Sequence, residues 1–120
     1  MLVAAYDDAR GATAAFDKNL LARMNRELDG DLRLSAFRHR AIWDARLSRI
    51  EMHLESQENQ VVRVAGRTYG FEEGETLHTE SAYKWEPRAF DALAAIAGWA
   101  PEAAWTDDRA WFAVRLYRAR

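Results

Sequence analysis

Apolar positions change their period several times along the 120-residue chain, and each change marks an element. Residues 2–5 form a short apolar segment that ends at Tyr6-Asp7-Asp8, with Gly11 opening a turn soon after. From 13 to 28, Phe16, Leu20, Leu21, Met24 and Leu28 draw one stripe along a predicted α-helix, which Asp29-Gly30-Asp31 stops. Asn19, Arg23 and Arg26 fall off that stripe and are expected to face solvent. Residues 32–40 read as a connector, with Ser35 a cap for a single turn carrying Phe37. A β-like stretch follows at 38–44 around Ile42 and Trp43. After a turn at 45–48, Ile50, Met52 and Leu54 alternate with Glu51, His53 and Glu55, the pattern of a half-buried strand with one apolar face.

A polar turn at 56–59 leads to a returning strand at 61–64. Gly66, Gly70 and Gly74 then break 66–74 into tight turns before 76–79, so the middle third predicts an antiparallel meander. Pro87 lies in the first turn of a predicted helix whose apolar face is Phe90, Leu93, Ala94, Ile96 and Ala97, with Gly98 and then Pro101 behind its stop. A short strand at 103–105, a turn at Asp107-Asp108 and a nearly continuous apolar run at 111–117 complete the chain. Such a run fits a strand buried on both faces, which needs neighbours on both sides. The chain supplies one easily; the second is the 2–5 segment or something outside the chain. The fold class predicted is α+β: an antiparallel meander with flanking helices, then a terminal helix-strand-strand unit. Residues 79–85 join the two.

Composition narrows the picture. The length is that of one domain of modest core. The formal net charge of −2 does not favour nucleic acid, which calls for a concentrated positive face. The absence of cysteine excludes disulfides, a zinc-thiolate site and a catalytic thiol together, and the cytoplasm is the expected setting. Residues 1–5 are too short for a signal-peptide core, and no apolar run approaches a membrane span. No repeat or low-complexity tract is present.

Several chemistries are missing. No Gly-x-Gly-x-x-Gly follows a strand, and there is no Walker loop and no nucleophile-elbow serine. His39, His53 and His78 lack the spacing of a known metal site. His53 and His78 could approach each other across adjacent strands near Glu51 or Glu55, but ordinary surface or hydrogen-bonding histidines are the expectation, with no metal. No catalytic residue is assigned. Three residues stand where a pocket would have them: Tyr6, Met52 and Glu80. Taken singly, they read as a core-edge tyrosine, a core filler and a solvated acid.

Taken together they fit a larger pattern. Ala5-Tyr6-Asp7-Asp8, Gly11, Thr13-Ala14-Ala15-Phe16, Asn19-Leu20-Leu21, Asn25-Arg26-Glu27-Leu28, Ile50-Glu51-Met52, Gly74-Glu75, Thr79-Glu80 and Tyr83-Lys84 occur in order across essentially the whole chain. This set resembles the C-terminal part of the histidine Nα-methyltransferases of ergothioneine biosynthesis. The resemblance implies an S-adenosylmethionine-dependent enzyme that methylates the α-amino nitrogen of histidine to give hercynine, its cofactor site lying in a Rossmann-like class I half that would precede Met1. Residues 1–82 would then be the substrate-binding lobe, and 83–120 the last helix and two strands of the methyltransferase sheet.

By the same resemblance, Tyr6 holds the substrate α-carboxylate, Met52 packs on the imidazole and Glu80 hydrogen-bonds it. The family usually has a serine sharing the imidazole contact where this chain has Ala82, and relatives often carry asparagine in place of Asp17. S-adenosylmethionine is expected for the full enzyme, with none bound by this chain alone. The implied partners are L-histidine or a related amino acid, and either a separate cofactor-binding half or a second copy joined through strand 111–117. The other readings are a stand-alone, non-catalytic amino-acid-binding or interaction module and a degenerate remnant.

Overall fold

The computed structural model describes residues 2–120, which divide after Lys84 into two compact units. The first holds helices α1 (Leu2–Tyr6) and α2 (Ala12–Glu27), a 3₁₀ turn (Leu34–Ala36) and strands β1 (Phe37–Asp44), β2 (Arg49–Ser56), β3 (Gln60–Val64), β4 (Arg67–Phe71) and β5 (Thr76–Tyr83). The second holds helix α3 (Pro87–Ile96) and strands β6 (Trp99–Thr106) and β7 (Ala113–Ala119). All strand pairing is antiparallel, and the class is α+β.

The expected meander is corrected in its topology. β2 does not pair with β3; its neighbours are β1 and β5, so the sheet order is β1-β2-β5. β3 and β4 form a separate hairpin inserted between β2 and β5 in sequence. Its two-residue turn, Ala65-Gly66, has positive φ at both positions (51° and 74°), which matches the twist of the flanking strands. Gly70 is not a turn residue, for it lies inside β4 opposite Val61.

Two further expectations change at the start of the chain. Residues 2–5 are helical and belong to α1, so they supply no strand to 111–117. Ser35 lies inside the 3₁₀ turn rather than capping it; Arg33 is the residue before the turn.

Helix α2 begins behind Gly11, in the left-handed region at φ 73°, and Asp8 caps it from a distance by accepting hydrogen bonds from the backbone N–H groups of Thr13 and Ala12 (2.8 and 3.2 Å). The inward face of α2 differs from the predicted stripe. Leu21 is sealed and Met24 packs on the core, but Phe16 is 68% exposed and the inward turn before Leu21 is occupied by Asp17. After α2 the chain doubles back. The Asn25 side chain pairs with both backbone groups of Leu32 (2.7 and 2.9 Å), and a Cβ on Gly30 would meet Asn25 Oδ1 at 2.7 Å, so only glycine passes there freely.

The core of the first unit joins Leu21, Leu32, Ala36, Phe37, Leu54, Val62 and Val64, with Phe71 edge-on to Phe37 at 5.4 Å. Its second face was expected to be wet. Instead Glu51 and Glu55 are buried within a mat of long side chains. Arg38 and Arg40 both reach Glu55, and Arg49 reaches Glu51. The aliphatic stems of the arginines cover the sheet while their charged ends remain wet.

In the second unit no described residue is buried. α3 is tied to β7 by Asp91, which accepts from Arg115 (2.5 Å) and from the Tyr117 hydroxyl (2.7 Å); the Phe90 ring lies 5.8 Å from that of Tyr117. The short strand expected at 103–105 is longer. It runs through Pro101, and the ladder slips between Pro101 and Ala103, where proline has no N–H to offer. Trp111 and Phe112 are not in β7; their backbone N–H groups bond to Asp107 in the preceding turn (2.8 and 2.9 Å). Among the described residues β7 pairs with β6 alone, and it is not buried on either face.

Candidate functional site

Residues directly opposed in an antiparallel pair point to the same side of the sheet. Met52 is opposite Glu80, and Ile50 is opposite Ala82, so Met52, Glu80 and Ala82 share one face of the β2–β5 pair. On β1 that face continues through Ala41, opposite Met52, and His39, opposite Leu54. Met52 is buried and Glu80 is exposed. Ser81 is opposite Glu51 on the reverse side, where its hydroxyl lies 3.0 Å from His78 Nε2. It therefore does not stand in for a hydroxyl at position 82.

The register depends on one irregularity. Met52 pairs with Glu80 and His53 with His78, so β5 carries one extra residue, Thr79, whose hydroxyl donates to the Met52 carbonyl (3.0 Å). A regular strand would put His78 and Glu80 on one side, two residues apart. The bulge sends them to opposite sides.

Tyr6 ends α1, which packs on β1 and β2, and it is fixed at both ends. Its hydroxyl lies 2.5 Å from Lys84 Nζ, with the ammonium 4.4 Å from the ring centroid; Lys84 follows directly after β5. Its carbonyl lies 2.7 Å from His39 Nε2, and His39 Nδ1 lies 2.7 Å from Asp17 Oδ2. The Asp17 and His39 side chains are each only 2% exposed. The structure thus joins Met52, Glu80 and Ala82 on one face and anchors Tyr6 to Lys84, the residue after β5.

Sequence reasoning did not find the Asp17–His39 pair. An acid beside a strong apolar stripe reads as solvent-facing, and only its contact across 22 residues with a histidine reveals it. Lys84 stood in the motif without a role.

On the reverse face, Glu51, His53 and His78 converge. His53 Nε2 lies 2.9 Å from Glu51 Oε2, the two imidazoles stack with centroids 4.6 Å apart, and Arg49 Nε donates to Glu51 Oε1 at 2.8 Å. The hydrogen bond from His53, then that from Arg49, holds the Glu51 carboxyl below its usual range, so it is ionised at neutral pH.

A sequence family described as histidine-specific, S-adenosylmethionine-dependent methyltransferase matches residues 1–119, and the chain belongs to it. Among curated proteins the chain is similar to the histidine N-alpha-methyltransferase of Mycobacterium tuberculosis, with 43% identity over 117 residues. It is similar also to the protein of that name from Mycolicibacterium smegmatis, with 44% identity over 117 residues. Each alignment takes in 96% of this chain and 36% of the relative, so the chain spans about a third of the length of the relatives it matches.

Proposed function

We propose that this chain is the acceptor-recognising part of an S-adenosylmethionine-dependent methyltransferase acting on the α-amino nitrogen of L-histidine, as in hercynine formation for ergothioneine. The observation that carries the reading is the shared face of Met52, Glu80 and Ala82, set by the β2–β5 register. In this reading Met52 offers an apolar surface to the imidazole and Glu80 accepts its N–H. A carboxylate acceptor favours a side chain with an N–H to donate over an apolar one of similar size. Tyr6, held by Lys84 and His39, presents its hydroxyl to the α-carboxylate. Methyl transfer requires the amine in line with the sulfonium carbon, so this lobe contributes by positioning.

S-adenosylmethionine supplies the methyl group in this family; no glycine-rich loop following a strand is present in these 120 residues, and no residue here is assigned to hold it. The second unit fits the same proposal, as the last helix and two strands of a Rossmann-like class I methyltransferase sheet in the cytoplasm. Its exposed Trp105, Val114 and Leu116 and the free edge of β7 suit the addition of a cofactor-binding half or of a second copy.

Calorimetry of the full chain with L-histidine, in the presence of a chelator, tests the reading. Binding at least about tenfold tighter than that of L-phenylalanine, and lost by a similar factor in Glu80→Gln, is expected. Equal affinity for the two amino acids, or none for histidine, overturns it. Incubation with histidine and S-adenosylmethionine should give no methylated histidine; its appearance would show that the chain suffices for catalysis.

A further inference from the structure

On the side of the β2–β5 pair opposite Met52 and Glu80, three metal-type ligands stand together. Glu51 and His53 are two residues apart on β2 and project to the same side, and His78 is the register partner of His53 on β5. One donor atom from each can be chosen so that all lie within 4.8 Å of one another. Bonds of about 2.1 Å to a tetrahedral ion require donors roughly 3.4 Å apart, so the widest-spaced pair must close by up to about 1.4 Å. The member with freedom to move is His78, which is exposed, whereas Glu51 is buried and His53 partly so.

The surroundings of the three are those of ligands. Arg49 occupies Glu51 Oε1 and leaves Oε2 turned to the histidines, orienting the carboxylate as an outer partner does at a metal site. His78 Nε2 lies 3.0 Å from the Glu80 carbonyl, the usual partner for the non-ligating N–H of a bound imidazole, and no hydrogen bond engages Nδ1 among the described residues. His53 turns Nε2 to Glu51 Oε2 (2.9 Å), and its Nδ1, on the other side of the ring, is buried with no hydrogen-bond partner among the described residues. Two stacked imidazoles beside a carboxylate also suit a divalent cation electrostatically. Two imidazoles and one carboxylate favour borderline ions over magnesium or calcium, which prefer all-oxygen shells.

We infer that Glu51, His53 and His78 bind a divalent transition-metal ion of the zinc class, clamping β5 to β2 beside the Thr79 bulge. Three protein ligands leave a fourth position for water. The ion would join the two strands that carry Met52 and Glu80 without touching that face. The inference does not depend on histidine being the substrate.

The test uses the untagged full chain, titrated with zinc chloride by calorimetry and with cobalt(II) by visible absorption. One equivalent per chain is expected, with the intense d–d bands of four-coordinate cobalt and a rise in the melting midpoint on adding zinc. His78→Ala, which removes an exposed side chain and leaves the core alone, should weaken binding at least about tenfold and abolish the bands. Glu51→Gln should weaken it similarly, with an unchanged circular dichroism spectrum confirming its fold. No saturable uptake by the unaltered chain, or equal uptake by His78→Ala, overturns the inference.

Discussion

At His39 both ring nitrogens face oxygens, the Asp17 carboxylate and the Tyr6 carbonyl. A carbonyl only accepts, so Nε2 must donate to Tyr6, and the ring cannot satisfy both sides without a second proton shared with Asp17. Removing one member leaves the other buried and unpaired. His39→Ala is therefore expected to cost about 3 kcal/mol of unfolding free energy, and Asp17→Asn, which keeps a hydrogen-bonding side chain, about 1 kcal/mol. Urea denaturation of the two variants and the double variant measures this; costs that simply add would show that the pair is not coupled. Asp8 acts through charge. Backbone hydrogen bonds, the first from Thr13, lower its pKa from 3.8 to about 2. A carboxyl whose folded pKa is depressed stabilises fully above the unfolded value and loses that contribution as the pH falls to the folded one. The stability advantage of the chain over Asp8→Asn should thus hold above about pH 4 and shrink between about 4 and 2, followed by chemical denaturation across that range.

Among the elements, those fixed by local spacing were legible before the structure. α2 and α3, the positions of β1 and β2 and the start of β5 follow from apolar period and from punctuation by Asp29-Gly30 and Pro87, because these features act within a few residues; β5 itself runs on to Tyr83, through most of the stretch expected to be a joint. What escaped was pairing. Nothing local tells β2 that its second neighbour is Thr76–Tyr83 rather than the adjacent Gln60–Val64, since both are strands of suitable length and the choice is made by long-range packing of Val62 and Val64 into the core. The candidate site shows the same division. The resemblance named Tyr6, Met52, Glu80 and Ala82, and alternation separates Ser81 from its neighbours. The bulge at Thr79 has no signature in a sequence, and the burial of Asp17 required a partner on another element. The acid-rich side of β2 reads as wet for a similar reason: arginine stems cover it from β1 and from β2 itself.

Across the whole molecule the two units differ in how they exclude water. The first seals Leu21, Phe37, Ile50 and Leu54 completely, whereas the second, as described, seals no side chain. Backbone protection follows burial, so native-state hydrogen exchange should show slow amides in β1 and β2 and fast ones throughout α3, β6 and β7. Equal protection in both units would contradict this. The lack of sealed side chains has a consequence for lifetime as well as for shape. A protease needs an opened segment of several residues, and residues 85–120 open at little cost, so cleavage there should outpace global unfolding by orders of magnitude. Limited proteolysis run beside chemical unfolding measures this: early cuts confined to 85–120 are expected, and cuts spread evenly over both units would contradict it.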